Sequence, residues 1–211
     1  WIMAVLLALG TVSAFLVLFK RVGKARQAQA TIEALHYYEE IKVLEIEVVA
    51  SDAWQGHKAG QFAFATSKTT EGAHPYTIAS AWNPADKHIK FVIKELGDHT
   101  KTLNANLKVG QNITIEGPYG RFDFVDKKPR QIWIGGGIGI TPFIAQMNQL
   151  ALQPDGKQID FFHTTKEVSE TALAKLSDDV KDANINLHLL IDNRDGYLSV
   201  EKIQAAVPDW K

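Results

Sequence analysis

Cysteine is absent from all 211 residues. That excludes disulfides, thiolate zinc sites and cysteine-held iron–sulfur clusters, so redox chemistry here would use a bound organic cofactor. An excess of one charge is absent too, since 23 Lys+Arg stand against 24 Asp+Glu. The seven histidines form no HxxH or HExxH pair on a helix, so no metal site is expected. No repeat or low-complexity tract is visible. What remains, 45% hydrophobic and 22% charged residues, is the balance of a globular protein with one or two cores.

One long apolar run is present. Residues 1–19, WIMAVLLALGTVSAFLVLF, carry no charge, and a helix of that length spans roughly the ~30 Å hydrocarbon core of a bilayer. Lys20, Arg21, Lys24 and Arg26 follow with no acid before Glu33, the pattern of a cytoplasmic flank. The expectation is a transmembrane helix over 1–22, a juxtamembrane linker over 23–39, and cytoplasmic domains beyond it in an integral membrane protein. A secretory signal peptide would carry its positive charges ahead of the run. A soluble helix packed on the surface of a core would be apolar on one face only. Because the chain opens at Trp1, a preceding membrane portion is also expected. Without the four flanking basic residues the remainder is acidic, which argues against a nucleic-acid partner.

From Glu40 to about Phe124, the segments EIKVLEIEVVA, GQFAFATS, HPYTIASAW, KHIKFVIKEL and QNITIEG alternate apolar and polar residues or are rich in β-branched and aromatic ones. Turn signals separate them at Gly60, Asn83–Asp86, Gly97–Asp98 and Gly110, as in a small antiparallel β-barrel, here assigned to 40–127. Near Lys127–Arg130 the pattern changes. Strand-like QIWIGG, QIDFFHTT and INLHLLID then alternate with helix-like TPFIAQMNQLAL and SETALAKLSDDVKDA, which predicts a Rossmann-like parallel α/β domain over 128–211. The fold class is therefore α/β plus all-β.

In IWIGGGIGITPF a glycine-rich turn joins strand to helix. Gly136, Gly137 and Gly139 would let backbone N–H groups approach a phosphate, with Thr141 and Pro142 opening the helix behind them. Pro142 suits a first helical turn, where a missing N–H costs nothing. It also occupies the place of the third glycine in the usual dinucleotide fingerprint, which disfavours a standard dehydrogenase. A turn built only for close packing is the alternative. At the end of the second strand, where an acid would hold the ribose of NAD, stand Thr164, Thr165 and Lys166. Hydroxyls with a lysine can hold a 2′-phosphate, so NADPH is favoured and NADH is possible. A solvent-exposed strand-end lysine is the plainer alternative, and Arg194 is the second choice for the 2′-phosphate.

Taken in order, GQF, HPYT, VIKELGDHT, EGPYG and GGGIGITPF resemble the motif series of the ferredoxin-NADP reductase superfamily. With an apolar helix upstream they look most like the dehydrogenase half of NADPH oxidases and ferric reductases. The resemblance implies a barrel that binds FAD and an α/β domain that binds NAD(P)H, the latter incomplete here. His74, Pro75, Tyr76 and Thr77 would run beside the flavin, with Tyr76 packed along it and the Thr77 hydroxyl, the catalytic group, reaching its N5 edge. His74 stands where many relatives carry arginine and fits the oxidase and ferric reductase branch. Val92, Ile93 and Lys94 would supply the other half of the FAD site, with Lys94 neutralising the pyrophosphate. His99 and Thr100 would open a helix aimed at the phosphates, although Asp98 or Thr100 could serve only as a helix cap. Haem, if used, would be held by helices upstream of this chain. The implied function is a membrane-anchored flavoprotein passing electrons from NADPH through FAD toward haem and then ferric iron, oxygen or another acceptor. The reductase component of an oxygenase, or a non-catalytic membrane-tethered nucleotide-binding module, are the alternatives.

Overall fold

The computed structural model describes residues 1–19, 21–67 and 72–209. Lys20, one of the four flanking basic residues, lies outside the described residues. The apolar run forms helix α1, Ile2–Leu18, of 17 residues, none of them buried. At 1.5 Å per residue it is about 25 Å long, short of the ~30 Å apolar core. Among the described residues no helix is long and apolar enough to cross a membrane, which corrects the expectation of a spanning helix over 1–22. The helix stops because the chain turns: the Arg21 N–H reaches back to the Leu16 carbonyl at 2.8 Å, and Gly23 takes φ +76°.

Seven strand- and helix-forming segments follow, β1 Gln27–Tyr38, β2 Val43–Ala50, β3 Phe62–Thr66, β4 His74–Thr77, β5 His88–Lys94, helix α2 Asp98–Asn106 and β6 Asn112–Tyr119. The six strands pair antiparallel in the order β4-β3-β6-β1-β2-β5. The expected linker over 23–39 is thus largely β1. Its small alanines alternate with polar residues, and Ala28, Ala30 and Ile32 are buried, a pattern that only pairing with β2 and β6 makes favourable.

The two edge strands approach each other without forming a ladder. They meet at one bridge, Ile78 opposite Phe91, with the Ala79 N–H donating to the Lys90 carbonyl at 2.8 Å. The expected barrel is therefore a curled six-stranded sheet that does not close. The physical reason is β4, only four residues long and carrying Pro75, which has no N–H to donate. The concave side is filled by Ile32, Ile46, Val48, Ile78, Phe91 and Ile115 among others.

The second sheet is parallel, in the order β7-β8-β9, from Arg130–Gly136, Gln158–Thr165 and Asn186–Ile191. A 3-10 turn, Gly137–Ile140, leads from β7 into α3, Thr141–Leu152; α4 is Glu170–Asp182, and the short α5 and α6 are Asp192–Asp195 and Val200–Ala206. The strand–helix alternation matches the sequence expectation. A separate core gathers Trp133, Phe143, Met147, Phe161, Leu176 and Val180. Phe122 and Phe124, on the connection from the first sheet, meet Phe143 at ring distances of 6.2 and 5.6 Å and tie that connection to the second core.

Candidate functional site

The HPYT and GDHT segments, far apart in the chain, come together. The His74 and His99 rings stack at 3.6 Å between centroids and 11° between planes, and His99 Nε2 lies 3.1 Å from the Tyr76 hydroxyl. Pro75 is exposed and Thr77 half-buried. The Tyr76 ring is half-buried, packed against the first core near Phe91. β5 turns Ile89, Phe91 and Ile93 inward, so Ile93, 5% exposed, can offer a cofactor only its backbone. Val92 and Lys94 face the other way.

Thr100 shapes the turn before α2. Its Oγ1 accepts the N–H groups of Leu96 and Gly97, at 2.9 and 3.1 Å, and donates to the Gly97 carbonyl. It therefore acts as a cap, and the hydroxyl is engaged in the turn, leaving the first N–H groups of α2 as the anion-attracting feature. Lys94 ends β5 just ahead of α2, with its Nζ 2.7 Å from a Glu167 carboxylate oxygen, and that ammonium holds the Glu167 carboxyl below the usual range.

On the nucleotide side, Gly137 has φ +50°, and a Cβ added there or at Gly139 would meet no atom within 4 Å. The backbone is open on that side, as a phosphate cradle requires. Gly136 is more confined, its added Cβ lying 3.3 Å from the Thr164 hydroxyl. Thr141 is buried and donates to the Ile138 carbonyl at 2.7 Å, while Pro142 occupies the first turn of α3. Lys166 is exposed beside the half-buried Thr164. Arg194 is drawn away, forming two 2.9 Å bonds to its neighbour Asp195.

Between the two sheets lies a cavity of 130 Å³ walled by Val43, Val92, Ile138, Ile144, Leu173 and Leu176. Polar groups border it. His163, 7% exposed, has Nδ1 2.8 Å from the Gly135 carbonyl, and burial, opposed by that contact, lowers its pKa. A neutral ring donating from Nδ1 would pin the strand end from which the glycine turn departs. Glu45 is buried in β2, and Lys175 from α4 meets it at 2.5 Å and Lys90 from β5 at 3.2 Å. Burial alone would raise the Glu45 carboxyl, but the two ammoniums outweigh it and the pKa is lowered. Asp179, which also lines the cavity, is raised by burial.

Sequence reasoning missed Glu45, His163, Glu167 and Lys175. Glu45 sits at an outward position of an alternating strand, where solvent is the natural expectation. The only signal was two glutamates and three lysines on the segments KVLEIE and IKFVIK.

A FAD-binding domain family matches residues 28–123. Ferric reduction oxidase 5 of Arabidopsis thaliana is 34% identical over 88 residues, which are 40% of this chain and 12% of that protein. Dual oxidase 1 of Caenorhabditis elegans is 27% identical over 157 residues, 64% of this chain and 10% of the relative. The chain thus spans only about a tenth of the length of these relatives. Among solved structures, the FAD/NAD binding domain of nitric oxide dioxygenase from Vibrio cholerae O1 biovar El Tor superposes with a TM-score of 0.68 at 18% identity, covering 82% of this chain and 80% of that one. At that identity the likeness carries the fold. The chain thus carries the fold of that FAD/NAD binding domain, residues 28–123 match a FAD-binding domain family, and the sequence is similar to ferric reduction and dual oxidases.

Proposed function

We propose that the chain binds FAD and NADPH and forms the electron-input part of a larger membrane-associated oxidoreductase that passes electrons toward haem and then ferric iron, oxygen or another acceptor. The observation that carries this reading is the joining of HPYT to GDHT through His74, Tyr76 and His99. Strand β4 and the N-terminus of α2 thereby come together, and Lys94 ends β5 just ahead of that helix. These residues fit a flavin dinucleotide: Lys94 and the first turn of α2 would hold its pyrophosphate, and His74 with Pro75 would line the route between phosphate and ring.

FAD, when bound, would supply two-electron uptake from a nicotinamide and one-electron release. The chain's own part is to bind and orient. The Thr77 hydroxyl, half-buried at the end of β4, would hold or accept a proton at the flavin N5 edge. Gly137 and Gly139 would receive the nucleotide phosphates, and Thr164 with Lys166 the 2′-phosphate that distinguishes NADPH.

Replacing Lys94 by Ala should weaken FAD by about 1 to 3 kcal/mol, the scale of a hydrogen bond to a charged group. Fluorescence titration of FAD measures this directly, and an unchanged affinity would move the phosphates elsewhere. A second reading, the reductase of an oxygenase, is supported by the reductase component of propane 2-monooxygenase from Mycolicibacterium goodii, 26% identical over 116 residues, 54% of this chain and 33% of that protein. Turnover of the full-length protein with ferric iron, oxygen or an iron–sulfur partner separates the two.

A further inference from the structure

The two sheets are joined across the cavity by two ion pairs of different character. The outer one, Lys94 with Glu167, is open to solvent, the side chains being 27% and 45% exposed. The inner one, Glu45 with Lys175, is built around a carboxylate whose side chain is only 10% exposed. Lys90 supports it, contacting Glu45 at 3.2 Å and Glu47 at 2.9 Å, and the opposing carboxylates raise its pKa against the effect of burial. Three of these groups, Glu45, Glu47 and Lys90, belong to β2 and β5, and the fourth, Lys175, reaches them from α4.

We propose that Glu45 and Lys175 are positioning residues, whose ion pair sets how the α/β domain docks on the flavin-binding sheet and so fixes the glycine turn relative to β5. This deepens the proposed function, on which its relevance to electron transfer rests. The geometry supplies the reason. Glu167 stands on the turn just before α4, and Lys175 lies between one and two turns into the helix. Their partners lie on paired strands, since Glu45 stands opposite Val92 and Val43 opposite Lys94. Two attachments so placed restrain rotation of α4 over the sheet, which one attachment would leave free. The Glu45 carboxylate loses its water while the Lys175 side chain stays 40% exposed, so the pair is poorly suited to adding net stability, but a docking that withdraws Lys175 leaves this buried carboxylate with Lys90 alone.

The test is zero-length carbodiimide cross-linking of Lys94 to Glu167, read by peptide mass spectrometry on the cofactor-free full chain. The double variant Glu45→Gln, Lys175→Met removes the inner pair without stranding a charge, since Lys90 keeps Glu47. We expect the outer cross-link to fall about fivefold or more in the double variant, as for groups coupled through one contact network. Its circular dichroism and FAD affinity should match the parent, and Lys175→Arg should restore the yield. An undiminished cross-link in the double variant overturns the proposal. Should the double variant lose its folded spectrum, Lys175→Gln is read in the same way against the same two outcomes. The parent's failure to bind FAD would instead sink the proposed function, and the cross-link result, obtained without cofactor, would stand.

Discussion

Among single residues, His57 shows how burial converts a sequence feature into a pH response. Trp54 Nε1 donates to its Nδ1 at 3.4 Å, its Nε2 lies 3.0 Å from the Ser80 carbonyl, and Trp82 stacks edge-on at 5.5 Å. Burial, opposed by the Ser80 contact, lowers its pKa from 6.5 to about 4. The folded state thus disfavours the imidazolium, so this contribution to stability is complete above pH 6.5 and is lost as pH falls toward 4. The shift corresponds to about 3 kcal/mol. Urea unfolding between pH 7 and 4 should show that slope, and His57→Gln should flatten it; an equal slope in both proteins would mean that other groups carry the acid response. Lys166 supports a separate prediction. Because it is exposed and its supposed contact is to a group only NADPH carries, Lys166→Ala should lower NADPH affinity and leave NADH nearly unchanged. Parallel losses for both nucleotides in direct titrations would assign Lys166 to the shared pyrophosphate or to the fold.

Elements depend on neighbours that a local window does not contain. Strand β1 was legible only as a polar stretch with alanines, because alanine carries little β preference and its burial depends on β2 and β6. Helix α1 was legible from its uncharged run, but its end was not, since Gly23 and the turn at Arg21 decide where it stops. We propose that α1 associates with a membrane surface. Leu6, Leu7, Leu9 and Phe15 are each at least 60% exposed, and burying such a side chain contributes about 1.5 to 3 kcal/mol. The chain should therefore co-float with phosphatidylcholine vesicles, and Leu9→Asp with Phe15→Asp should abolish this. Flotation that survives both substitutions, or never occurs, would remove α1 as the membrane contact.

At the scale of the whole molecule, Phe122 and Phe124 tie the connecting segment to the second core, and the charged interface around Glu45 joins the two sheets. Strand β2 records the consequence. Val43, Leu44, Glu45 and Ile46 are all buried, although an alternating strand should bury every second residue. The inner face meets the first core and the outer face lies under α4, so the strand is covered on both sides.

The sequence by itself determined the order and type of most elements, because periodicity, turn residues and the glycine run are local properties. It also brought HPYT, GDHT and the glycine turn forward as one site, through motif order. Only the tertiary structure decided that β4 and β5 meet at a single bridge, that Tyr76 and Ile93 turn toward the core, and that Lys94 shares its charge with Glu167. Those outcomes depend on which surfaces cover which, and a carboxylate such as Glu45 is solvent-exposed or buried according to an α-helix that begins more than a hundred residues later.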